Sequence, residues 1–172
     1  MPKSAKFKTK LVRTFPDSGW IYLEIDRRIA AKFPTDGKTR RVICSINKGE
    51  PFQCALMPWG DIFYIIVNKK RRDALGIEVG DTVSVELTQD ESKYGLPMPE
   101  EFEEVLKQDP EGDRLFHALT PGKQRSLIYM ISNVKDIDKR IHQALIVVEH
   151  LKENEGKIIH KALAEELKRP LF

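Results

Sequence analysis

Tyr22-Leu23-Glu24-Ile25-Asp26-Arg27-Arg28 and Tyr64-Ile65-Ile66-Val67-Asn68-Lys69-Lys70 are the two stretches on which the reading of this chain turns. They recur at a spacing of 42 residues, from Tyr22 to Tyr64. Each passes from strand-forming residues through a short polar cap to a pair of cations and a short helix, and each helix runs to an apolar residue, Phe33 or Leu75. A strand–cap–helix–strand unit of this size cannot cover its own apolar face. Two copies can cover each other, so the repeat predicts a β-barrel with approximate twofold symmetry.

Period-two alternation extends the strands on both sides of the repeat. Phe7, Thr9, Leu11 and Arg13 alternate with Lys6, Lys8, Lys10 and Val12, and a turn at Pro16, Asp17, Ser18 and Gly19 leads to Trp20 and the first copy. Strands over 40–46 and 52–57 flank Asn47-Lys48-Gly49-Glu50-Pro51 as a hairpin. Val42, Cys44 and Ile46 should meet Phe52, Cys54 and Leu56 in the core, which makes the two thiols cross-strand neighbours. The apolar run 62–67 reads as a strand covered on both faces. Residues 82–88 alternate again, with Val83, Val85 and Leu87 against Ser84 and Glu86.

Residues 89–99 hold the breakers Asp90, Gly95, Pro97 and Pro99, and everything beyond them reads as helix. Asp109-Pro110, Thr120-Pro121 and Asp136 each begin a helix with a cap. The longest helix carries Ile137, Ile141, Ala144, Leu145, Val148 and Leu151 as an expected core stripe. The resulting organisation is α+β: a β domain over 1–90, a linker over 91–98 and a small helical bundle over 99–172.

The composition, 41% hydrophobic and 32% charged, excludes a disordered chain. The N-terminal residues lack the apolar stretch of a secretory signal, and the longest apolar run is too short for a membrane span, so the expectation is a cytoplasmic protein with no membrane partner. Two cysteines make no disulfide framework and no CxxC motif. Charge is divided unevenly. Residues 1–90 hold sixteen Lys and Arg against eleven Asp and Glu, while residues 91–172 hold thirteen against fifteen. A basic β half is compatible with an anionic partner.

No catalytic constellation stands out in the chain. His117, His142, His150 and His160 are not spaced for a helical zinc site, and no GxSxG, phosphate-loop or dinucleotide glycine motif occurs. No catalytic residue, metal or cofactor is therefore expected, and the protein is read as non-enzymatic. Glu100, Glu101, Glu103 and Glu104 occupy the first turns of a helix, where the helix dipole favours them. The binding candidates are the cations Arg27, Arg28, Arg40, Arg41, Lys69, Lys70, Arg71 and Arg72, which a twofold axis could gather on one barrel rim to face phosphates. Trp20 and Trp59, each beside a glycine, are aromatic anchors suited to a ligand mouth. An unidentified small ligand or protein is the first expected partner and nucleic acid the alternative.

Ile46-Asn47-Lys48-Gly49-Glu50-Pro51-Phe52, Leu56-Met57-Pro58-Trp59-Gly60-Asp61 and Leu75-Gly76-Ile77-Glu78-Val79-Gly80-Asp81-Thr82-Val83 resemble the domain of unknown function 1905. That resemblance implies a double-split β-barrel, the fold of AbrB-like regulators. Phe116, Leu119 to Pro121, Arg125, Ile131, Val134-Lys135, Arg140-Ile141 and Leu151 are similar to the bacteriocin-protection family, also called YdeI or OmpD-associated. Here the resemblance implies a helical domain whose motif positions include Lys135 and Arg140, and a protection-type role without an established reaction.

Overall fold

The computed structural model describes residues 2–13, 20–35 and 39–170. The turn read at 16–19 lies outside the described residues. The chain divides into two compact units, Met1–Gly95 and Leu96–Phe172, with the boundary inside the segment read as a linker. Gln89 to Gly95 stay with the first unit. The Asp90 N–H donates to the Arg41 carbonyl, and the Arg41 guanidinium donates to the Gly95 carbonyl at 2.8 Å.

The first unit is a closed barrel of β1 (Ser4–Arg13), β2 (Ile21–Asp26), β3 (Arg40–Ile46), β4 (Phe52–Trp59), β5 (Ile62–Ile66) and β6 (Thr82–Gln89), with α1 (Arg27–Ala30) and α2 (Lys69–Leu75) after β2 and β5. The strands close in the order β1-β2-β5-β4-β3-β6, all neighbours antiparallel. Exchanging β1 with β4, β2 with β5 and β3 with β6 returns the same set of neighbours, so the connectivity carries the twofold symmetry that the repeat predicts. Its axis is visible in the register. Tyr22 pairs with Ile66 and Glu24 with Tyr64, which the 42-residue offset interchanges, while the offset maps the pair Leu23 and Ile65 onto itself. Both of these side chains are buried in the core, with Phe33, Val42, Cys44, Ile46, Leu56, Val83, Val85 and Leu87 around them.

The caps match the repeat. Asp26 accepts from the Arg28 N–H at 2.7 Å and Asn68 from the Arg71 N–H at 2.8 Å, each satisfying a donor that the helix start leaves open. Gly76, with φ 65°, ends α2 in the left-handed region.

Two expectations for the barrel are corrected. Strand β5 is not covered evenly on both faces: Ile65, on the inward face, is buried, but Ile66, on the outward face, is 44% exposed. The thiols of Cys44 and Cys54 share the inward face of the hairpin, but Cys44 stands opposite Phe52 and Cys54 opposite Val42, so they are diagonal neighbours and remain free. A hydrogen bond with Cys54 and then burial push the Cys44 thiol up.

The second unit holds α3 (Glu100–Gln108), α4 (Pro110–Ala118), α5 (Pro121–Ser132), α6 (Ile137–Glu153) and α7 (His160–Glu166). Asp109, Thr120 and Asp136 cap α4, α5 and α6 as expected, with proline in the first turn of α4 and α5. Phe102 and Phe116 meet edge to face at a 5.0 Å centroid separation in a core shared with Leu127, Ile128 and Ile131. The expected stripe of α6 is rotated. Ala144, Val148 and Leu151 are buried, and so are Ile146, Val147 and His150, whereas Ile137, Ile141 and Leu145 are exposed. Helix α6 packs against α3, α4, α5 and α7, so its buried arc is wider than one stripe and is set by where those neighbours lie. No described helix is long and apolar enough to cross a membrane.

Candidate functional site

The cations named from sequence do not gather on one rim. Because β2 and β5 run antiparallel, with Asp26 beside Ile62 and Tyr22 beside Ile66, α1 leaves the barrel at one end and α2 at the other. Arg27 and Arg28 therefore lie a strand length, roughly 17 Å, from the Lys69–Arg72 run. This corrects the expected single rim: a twofold axis perpendicular to paired strands sends equivalent residues to opposite ends.

Most of these cations already have a partner within the barrel unit. Arg28 pairs with Asp26, Lys69 with Asp73, and Arg72 donates to the Val67 carbonyl at 2.6 Å. Arg71 stacks on the Phe52 ring with its guanidinium 3.7 Å from the centroid. Arg40 donates to the Phe33 carbonyl and lies 5.9 Å from the Phe63 centroid. Arg27 and Lys70 are exposed.

Trp20 and Trp59 stand on the outer side of the barrel wall, 57% and 43% exposed. Trp59 belongs to an aromatic platform on β2, β5 and β4. Its ring centroid is 6.1 Å from both Tyr22 and Tyr64, and those two rings are 5.7 Å apart. Burial and the nearby Glu24 carboxylate push the Tyr22 phenol up.

A concave site that sequence reading missed lies in the helical unit between α3 and α6, a groove of about 910 Å³. Val105, Ile141 and Leu145 supply its apolar lining and Glu100, Glu104 and Gln108 its rim. An ion pair closes the groove at each end, one between α6 and α3 and one between α6 and the residue that follows α3. Arg140 meets Glu101 at 3.0 Å, and Lys152 meets Asp109 at 2.9 Å. The Glu101 carboxyl is held below its ordinary range by its own backbone N–H and by Arg140. The Asp109 carboxyl is held low by the Gly112 N–H and by Lys152. Among the described residues Glu100 and Glu104 have no ion pair, so the rim carries uncompensated negative charge. The sequence carries the signal: α6 has more apolar residues than one core face needs, and the surplus, Ile141 and Leu145, lines the groove.

Of the two motif positions, Arg140 joins α3 to α6 and also donates to the Val134 carbonyl at 2.9 Å, while Lys135 is exposed. His150 is fully buried. Its Nδ1 is 2.7 Å from Glu166 Oε2, and its Nε2 accepts from the Ile159 N–H at 3.0 Å. No group of three or more His, Cys, Asp or Glu suited to a metal occurs among the described residues.

Residues 7–87 match the family model for Domain of unknown function (DUF1905), and residues 96–154 match the one for Bacteriocin-protection, YdeI or OmpD-Associated. The chain carries both family domains, in that order. The first match coincides with the closed barrel. The second covers α3 to α6 and so contains both walls of the groove and both of its bridging ion pairs. No curated protein matches the chain.

Proposed function

We propose that this is a non-enzymatic, protection-type binding protein, in which the groove between α3 and α6 captures a basic amphipathic segment of a peptide or protein. The groove carries the reading. It offers an apolar lining at Ile141 and Leu145 beside a carboxylate rim at Glu100 and Glu104, the complement of a helix or strand with one apolar and one cationic face. The description of the matched family, bacteriocin protection, supports sequestration as the outcome. The state of the one fully buried histidine supports a role without catalysis, because both ring nitrogens of His150 are already engaged within the fold.

Fluorescence anisotropy of a labelled basic amphipathic peptide, titrated with the full chain, tests this. Binding should weaken about tenfold or more in Leu145→Glu and in the double variant Glu100→Lys, Glu104→Lys, and an acidic peptide of the same apolar pattern should bind poorly to the wild type. Equal affinity of wild type and both variants for the basic peptide would remove the groove from the function.

A further inference from the structure

A second group of cations lies on the outer face of the barrel, on β1 and the β3–β4 turn, apart from α1 and α2. Strand β1 turns Lys6, Lys8 and Lys10 outward, because Ala5, Phe7, Thr9 and Leu11 face the interior. In the barrel wall Lys8 stands opposite Ser84 of β6 and Lys6 opposite Glu86. On the far side of β6, Ser45 of β3 stands opposite Glu86 and the β3–β4 turn folds over Ser84. That turn is pinned twice: the Asn47 N–H donates to the Ser84 carbonyl at 2.8 Å, and the Ser84 N–H donates to Asn47 Oδ1 at 2.9 Å. It carries Lys48 at φ 59°, in the left-handed region where glycine costs less. The result is a shallow groove of about 350 Å³, with Lys6 and Lys8 on one wall, Lys48 and Ser45 on the other and Ser84 along its floor. Among the described residues none of Lys6, Lys8, Lys10 and Lys48 is in an ion pair, and Glu86 is the one carboxylate lining the groove.

We infer that this groove holds the phosphate groups of a single-stranded nucleic acid, whose bases reach Trp59, the exposed ring of the aromatic cluster it forms with Tyr22 and Tyr64. Two independent features point to that ligand. Side chains on one face of a strand recur at about 6.8 Å, so β1 presents a straight row of cations spaced on the scale of successive backbone phosphates. The same strand then carries Val12, which pairs with Tyr22, so the row leads to the edge of the aromatic cluster. A cationic track beside stacking surfaces is the arrangement that binds single strands with little sequence preference. This surface is independent of the groove in the helical unit, and failure of either reading leaves the other standing.

Titration of the full chain with a labelled oligothymidylate at several salt concentrations tests the inference. Affinity should fall with salt, with a log–log slope near 0.7 per phosphate engaged. The triple variant Lys6→Gln, Lys8→Gln, Lys48→Gln should reduce that slope by about 2, three phosphates at that value. Glu86→Gln should tighten binding. Trp59→Ala, or Trp59→Leu should the former fold poorly, should weaken binding about tenfold with the slope unchanged. An absence of binding at low salt would overturn the inference, as would a slope that the triple variant leaves intact. So would tripolyphosphate competing as well per phosphate as the oligonucleotide together with an indifferent Trp59→Ala, which would mark the groove as a general anion site.

Discussion

His150 shows how one side chain can hold a segment of the helical unit in place. Because its Nε2 accepts the Ile159 N–H, the ring proton must sit on Nδ1 and point to Glu166. The imidazole thereby joins α6 to the start of α7 and to its last turn. His150→Leu keeps the volume but leaves a backbone donor and a carboxylate without their partner, and it should cost about 1–3 kcal/mol in urea unfolding followed by far-UV circular dichroism. At the groove, Asp109 and Glu101 both titrate below the ordinary carboxylate range. A carboxyl whose pKa is depressed by folding contributes stability above its unfolded value, near 4, and loses it as pH falls through the folded value. Acid titration should therefore destabilise the helical unit progressively below about pH 4. The double variant Glu101→Gln, Asp109→Asn should show a flatter acid limb than the wild type.

Helix pairs and strand caps are set at the next scale. Gly112 lies where α4 meets α6, and a Cβ placed there would collide with Val148 Cγ1, a branched buried side chain with no room to swing away. Gly112→Ala should destabilise the helical unit by about 1–3 kcal/mol, the usual cost of overpacking, despite alanine's higher helix propensity; thermal unfolding at 222 nm measures it. In the barrel, Asn68→Ala removes the cap of α2 and should cost about 1 kcal/mol. Both caps of the repeat were legible in sequence because a cap is decided by residues two or three apart. The buried face of α6 was not, since Ile141 and Val148 belong to the same apolar pattern and only neighbouring helices determine which of them is covered.

For the molecule as a whole, both tryptophans belong to the barrel unit and none to the helical unit, so fluorescence reports the barrel and helical dichroism mainly the bundle. Each unit closes its own core. Leu23→Ala, on the pseudo-twofold axis, should cost about 2–5 kcal/mol and lower the fluorescence midpoint, whereas Ile131→Ala should lower the midpoint at 222 nm by a similar free energy. A common shift of both signals in both variants would show that the two cores unfold as one. The repeat, the inward faces of the strands, the two caps of the barrel and the starts of α4, α5 and α6 are legible in the chain alone, because alternation, capping and proline act over a few residues. Tertiary structure alone decided that the two cationic helices stand at opposite barrel ends, that Lys6, Lys8 and Lys48 line one groove, and that Ile141 and Leu145 line another. Those outcomes depend on antiparallel pairing across the repeat and on how helices distant in sequence surround α6, and no local pattern carries that information.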